Sequence, residues 1–232
     1  MDRIERSPRG LGAVSRRGVL AVANLLGLAG IARAQGAAPQ TFEPRPPGPD
    51  TPMPLPGERR IGRNDAPIEV IEFHSLSCVV CARFHNEVFP RIRRSYIDPG
   101  LVQFRFRDYP LDPNAIAAAA FVHCAGPTRF EPMLRLLYAN QRIWAASGDA
   151  RPILFKVGVD LGLAPARLEA CWTDPGFYEP ILDSRFDAET EYQVVATPTF
   201  VIDGKVHRGM LEWEAFQELV RPLLPDGTVI AE

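Results

Sequence analysis

Glu72-Phe73-His74-Ser75-Leu76-Ser77-Cys78-Val79-Val80-Cys81 carries the chain out of a strand and into a helix, and sets a C-x-x-C pair at the junction. Upstream, residues 68–74 read Ile-Glu-Val-Ile-Glu-Phe-His. Ile68 and Val70 fall on one face and Ile71 and Phe73 on the other, the pattern of a central strand covered on both sides. Ser77 is expected to cap a helix running through Cys81, Phe84, Val88 and Ile92. A sulfur in the first turn of such a helix meets unpaired backbone N–H groups and the positive end of the helix dipole, and both favour thiolate over thiol. Cys78 is therefore expected to be the attacking sulfur. Cys81, one turn further on and more shielded, is expected to be the resolving sulfur. A structural disulfide or half of a metal site are the other readings of such a pair. For a metal, His74 and His85 lie near in sequence, but a second knuckle of ligands is missing from the sequence.

Working outward, a second strand is predicted over residues 101–107, where Val102, Phe104 and Phe106 share a face. Helical patterns follow over 115–124 and 131–146, with weaker ones over 152–158, 165–171 and 177–192. Strand character returns at 199–203. Asp203-Gly204 signals a tight turn into a short strand at Val206 and His207, and residues 211–224 read as a final amphipathic helix. About 90 residues separate Asp108 from Pro198, too many for one crossover helix or for a structureless loop. The fold class expected is α/β, a small sheet domain over 61–109 and 193–224 interrupted by an all-helical domain over 110–192, with a tail at 225–232.

The composition excludes several classes. Four cysteines in 232 residues are too few for a disulfide-scaffolded mini-protein, and a net charge of −2 leaves no footprint for nucleic acid. Basic charge gathers at the start: six arginines against Asp2 and Glu5 within residues 1–34. A basic segment, an apolar run from Val19 to Ala32 and the small-x-small triplet Ala32-Arg33-Ala34 read as an export signal peptide. Ser15-Arg16-Arg17-Gly18-Val19-Leu20 resembles a twin-arginine signal. Eight prolines between residues 35 and 60 exclude ordinary helix or central strand there and predict an extended leader. The expected destination is the periplasm, where disulfides persist.

Residues 61–73 running into Cys78-Val79-Val80-Cys81, together with Val195-Ala196-Thr197-Pro198-Thr199-Phe200-Val201-Ile202-Asp203-Gly204, resemble the DsbA family of periplasmic thiol–disulfide oxidoreductases. The resemblance spans residues 61–222. It implies a thioredoxin-like fold with an inserted helical domain, and a cis-proline loop in which Thr197 and Pro198 face the cysteine pair and receive substrate backbone. It implies for Glu72, six residues before Cys78, a buried carboxyl that relays protons to or from Cys81. It also makes a structural Cys124–Cys171 disulfide an expectation, against two buried thiols. His74 and His85 are secondary candidates for holding charge near the pair, and His207 and Arg208 weaker ones. Exported proteins with free thiols or disulfides are the implied clients, with a membrane redox partner to reset the pair. No cofactor, metal ion or nucleic acid is expected, and no stable membrane insertion after signal cleavage. The chain departs from the strongest oxidants of the family at Val79-Val80, where proline and histidine are common; without that histidine a moderate oxidant is expected. Reductase or isomerase action is the nearest alternative, and a metal-delivery or protein-binding module on the same scaffold is the alternative of another class.

Overall fold

A computed structural model describes residues 58–230. The expected signal peptide and all but the last three residues of the expected leader lie outside that range. Five strands form one mixed sheet in the order β1-β3-β2-β4-β5. They are β1 (Glu58–Ile61), β2 (Ile68–His74), β3 (Val102–Asp108), β4 (Thr199–Ile202) and β5 (Lys205–Arg208). β2 and β3 run parallel, and every other pairing is antiparallel. β1 corrects the leader boundary: Glu58, Arg59 and Arg60 belong to the sheet, with Ile61 opposite Phe104 of β3. A strand with one apolar residue in four carries no periodic signal; its place comes from backbone pairing along the free edge of β3.

The parallel β2–β3 pair needs a crossover, and residues 79–97 supply it. This is not the single regular helix expected. α1 (Val79–Arg83) and α2 (Phe89–Ile92) are separated by a π-helical turn over Phe84–Val88, and a second π turn covers Arg93–Ile97. The first π turn closes with the Phe89 N–H bonding the Phe84 carbonyl. Pro90, which has no N–H to return to Asn86, gives that widening a physical cause. Ser77 does not cap the helix. Cys78 itself is the N-cap residue, in extended conformation at φ −73° and ψ 120°.

Six α-helices lie between β3 and β4: α3 (Pro113–Cys124), α4 (Phe130–Ala139), α5 (Gln141–Trp144), α6 (Arg151–Asp160), α7 (Pro165–Thr173) and α8 (Glu179–Glu191), with a 3-10 turn at Pro175–Phe177. The single helix expected over 131–146 breaks at Asn140, whose side-chain amide donates to the Leu136 carbonyl at 2.9 Å. After β5, α9 (Trp213–Val220) closes the chain's main body. Between β4 and β5 both Asp203 (φ 48°) and Gly204 (φ 70°) are left-handed, which the primed hairpin turn requires.

One sheet face, carrying Ile68, Val70, Phe104 and Phe106, belongs to a core that continues through Phe84, Phe89 and Phe216 into Leu134, Trp144, Leu154 and Leu168 of the helical lobe. The other face, with Ile71, Phe73 and Val201, packs Ala188 of α8. So α8, expected as part of the insertion, covers the sheet. Arg107 on β3 holds it through Asp187 at 3.0 Å.

Candidate active site

The site forms where β2 ends. Period-two alternation puts Glu72 on the same face as Val70, inside the larger core, and it is fully buried. The chain turns through Ser75–Ser77 and enters α1 at Cys78. The Cys78 thiol donates to the Thr197 carbonyl at 3.3 Å, across 119 residues of sequence. The Thr197–Pro198 peptide is cis. The Thr197 hydroxyl is buried with no hydrogen-bond partner, which leaves it available to a sulfur anion at Cys78. The structure thus brings Cys78 and Cys81 together with the Thr197–Pro198 loop.

Electrostatics divide the two sulfurs. The Cys81 thiol donates to Cys78, and this, with the Thr197 side chain and the backbone amides of Cys81 and Val80, outweighs burial and lowers the Cys78 pKa to about 5. Cys81 is wholly buried. Burial first, then its bond to Cys78 and the negative charges of Cys78 and Glu72, push its thiol well above the ordinary range. At neutral pH the outer sulfur is a thiolate and the inner one a thiol, the polarity that attack followed by resolution requires.

The two candidate histidines do not face the Cys78 sulfur. His85, on the π turn, has Nε2 3.1 Å from each Glu72 carboxylate oxygen. His74 Nδ1 is 2.7 Å from the Tyr138 hydroxyl, and burial depresses its pKa against the pull of Asp108. Asp108 in turn bonds His123 Nε2 at 2.5 Å; burial pushes its carboxyl up, and the two histidines and Arg59 more than offset that. His207 and Arg208 sit on edge strand β5, where Arg208 donates to the Gln193 carbonyl at 3.1 Å. Neither contacts the cysteine pair.

Two residues of the lobe were not foreseen. Gln141, freed by the helix break at Asn140, donates to the carbonyls of Leu76 at 2.7 Å and Cys78 at 2.9 Å. Tyr138 stacks on His85 with ring centroids 4.3 Å apart. A glutamine and a tyrosine within an apolar helical pattern were the only signals available. Cys124 and Cys171 are joined by a disulfide, Cα atoms 5.7 Å apart, between α3 and α7. Among the described residues, no group of three or more His, Cys, Asp or Glu side chains has the arrangement to hold a metal ion.

The family model described as Thioredoxin matches residues 55–221. A putative protein-disulfide oxidoreductase from Rickettsia conorii is 24% identical over 145 residues, 62% of this chain and 52% of that protein. Disulfide bond formation protein D from Bacillus subtilis is 24% identical over 182 residues, 71% of this chain and 76% of that protein. The chain spans about half the length of the first of these relatives. The crystal structure of Wolbachia pipientis α-DsbA1 superposes with a TM-score of 0.69 at 27% identity, covering 74% of this chain and 92% of that one.

Proposed function

Because this chain belongs to the thioredoxin family, as a DsbA-like member, we propose that it is a thiol–disulfide oxidoreductase that works through Cys78 and Cys81 as a moderate oxidant of exported proteins. The observation that carries the reading is the divided pair: a Cys78 thiolate favoured at the N-cap and a buried Cys81 thiol behind it. In the oxidised protein, a client thiolate attacks the Cys78 sulfur. A mixed disulfide forms and Cys81 leaves as a thiolate that must take a proton. A second client thiolate then attacks the client sulfur, releases the client's new disulfide and leaves Cys78 as a thiolate. Two electrons have passed from client to enzyme. A membrane redox partner accepts them and restores the Cys78–Cys81 bond.

The bend at Thr197–Pro198 beside the sulfur, leading into β4, offers its backbone for pairing with client backbone, and Glu72 serves Cys81 as proton donor and acceptor. Cys124–Cys171 is a structural cross-link that takes no part in exchange. Export to the periplasm rests on residues 1–34; among the described residues no helix is long and apolar enough to cross a membrane.

The direction of exchange follows from thiolate stability. A Cys78 pKa near 5 stabilises the reduced form more than in thioredoxin, at about 7, and less than in the strongest oxidant, at about 3.5. Equilibration with glutathione should therefore give a reduction potential between about −270 and −120 mV. A potential at or below that of thioredoxin makes the protein a reductase instead. Cys81→Ala protein should accumulate a client adduct on Cys78; capture of client by Cys78→Ala through Cys81 would reverse the two roles.

A further inference from the structure

Further along the crossover from the reactive sulfur, a cleft of about 420 Å³ opens between α2 and α4. Its walls include Phe89, Arg93, Glu131, Pro132 and Arg135, and His85 lines it too. An ion pair between Arg93 and Glu131 stands at it. None of its lining residues comes from the Cys78 loop or the Thr197–Pro198 loop. His85 therefore has two sides. Nε2 is committed to both oxygens of Glu72, at 3.1 Å each. Nδ1 has no hydrogen-bond partner among the described residues, and is the nitrogen left for water in the cleft. The ring is held in place by stacking on Tyr138 and by Phe89 and Phe106, with centroids 5.1 and 5.8 Å away.

Cys81 must take a proton once and give one up once in every catalytic cycle. At both moments Cys78 is bonded to another protein, which covers the front of the site. Glu72 has no exposed surface of its own through which to exchange that proton. We propose that His85 is the proton port of this enzyme: it passes protons between Glu72 and water in the cleft between α2 and α4. The proposal rests on the reading of Glu72 given above and adds the route beyond it.

In reoxidation, Glu72 carries a proton that it donates to Nε2; it passes that proton to the ring as Nδ1 releases one to the cleft, and it takes the Cys81 proton in its place. The Cys81 thiolate attacks the Cys78 sulfur, the Cys78–Cys81 bond forms, and the partner's thiolate leaves. The ring enters with its proton on Nδ1 and ends with one on Nε2. When a client next attacks Cys78 and Cys81 departs, the sequence runs backward and resets the tautomer. No ring rotation is needed.

The test uses the reduced full-length protein mixed with glutathione disulfide, quenched with acid and read by mass. This separates formation of the Cys78–glutathione mixed disulfide from its resolution by Cys81. His85→Ala should leave the first step unchanged and slow the second by about tenfold or more. Imidazole added to the buffer should restore that step in His85→Ala, entering through the cleft, and should not restore it in Glu72→Gln. Pro132→Trp, which fills the cleft without touching Glu72, should slow resolution as well. Wild-type resolution in His85→Ala, with Glu72→Gln slow, would overturn the route and leave the role of Glu72 standing. A slow His85→Ala step that imidazole leaves unchanged would make the histidine a structural support and also overturn it. Wild-type resolution in Glu72→Gln would remove the underlying reading, and the port with it.

Discussion

At the scale of single residues, the difference between two cysteines three positions apart is made first by hydrogen bonding at Cys78 and by burial at Cys81, and less by neighbouring charged side chains. The side chains of Val79 and Val80 offer no proton and no charge, and neither His74 nor His85 faces the sulfur. What lowers the Cys78 pKa is the Cys81 thiol, then Thr197 and the helix-start amides. The thiolate is confined to the reduced protein, so its effect on stability is too. A thiol pKa moved from 9.0 to about 5 on folding favours the folded state fully above pH 9, and the benefit is lost as pH falls through about 5. Reduced protein should accordingly lose denaturant resistance relative to oxidised protein as pH is lowered from 9 to 5, in paired urea titrations. A gap between the two forms that is flat across that range would contradict the Cys78 assignment. The cysteine pair was legible because a strand, a helix start and C-x-x-C are all local signals. The link from Glu72 to His85 was not, since it depends on a π turn that brings position 85 under the strand.

At the scale of elements, the informative departures from sequence reading are interruptions. Pro90 widens the crossover helix, and Asn140 splits the helix read over 131–146. Each positions a side chain near the site: the first sets His85 against Glu72, and the second releases Gln141 to hold the turn before Cys78. β1 stayed hidden for a different reason, because an edge strand of charged residues has only its pairing with β3 to define it. Gln141→Ala removes a donor from two buried carbonyls: that of Cys78 keeps the Ala82 N–H at 3.0 Å, and that of Leu76 loses its side-chain partner. The expected cost is about 1–3 kcal/mol in urea denaturation, with an upward drift of the Cys78 pKa as the helix start loosens. Thiolate absorbance against pH would detect that drift; an unaltered titration would confine Gln141 to a stabilising role.

At the scale of the whole molecule, the topology expected from the long gap between β3 and β4 is present, yet the insertion is not a separate body. α8 serves the sheet, and one core passes from Phe106 to Trp144 without interruption. Tryptophan fluorescence, which samples Trp144 and Trp172 in the lobe and Trp213 beside the sheet, should therefore trace the same unfolding transition as circular dichroism. The Cys124–Cys171 link closes a 47-residue separation, and replacing both with alanine should lower stability by up to about 4 kcal/mol in denaturant titration. The potential of the catalytic pair should not move. The shared core has a mechanical consequence. With Gln141 of the lobe fastened to the very turn that presents Cys78, lobe and sulfur are tied together. On the proposed function the pliancy then has to come from the visitor, and polypeptides that have not finished folding should be oxidised faster than compact ones in a side-by-side thiol assay.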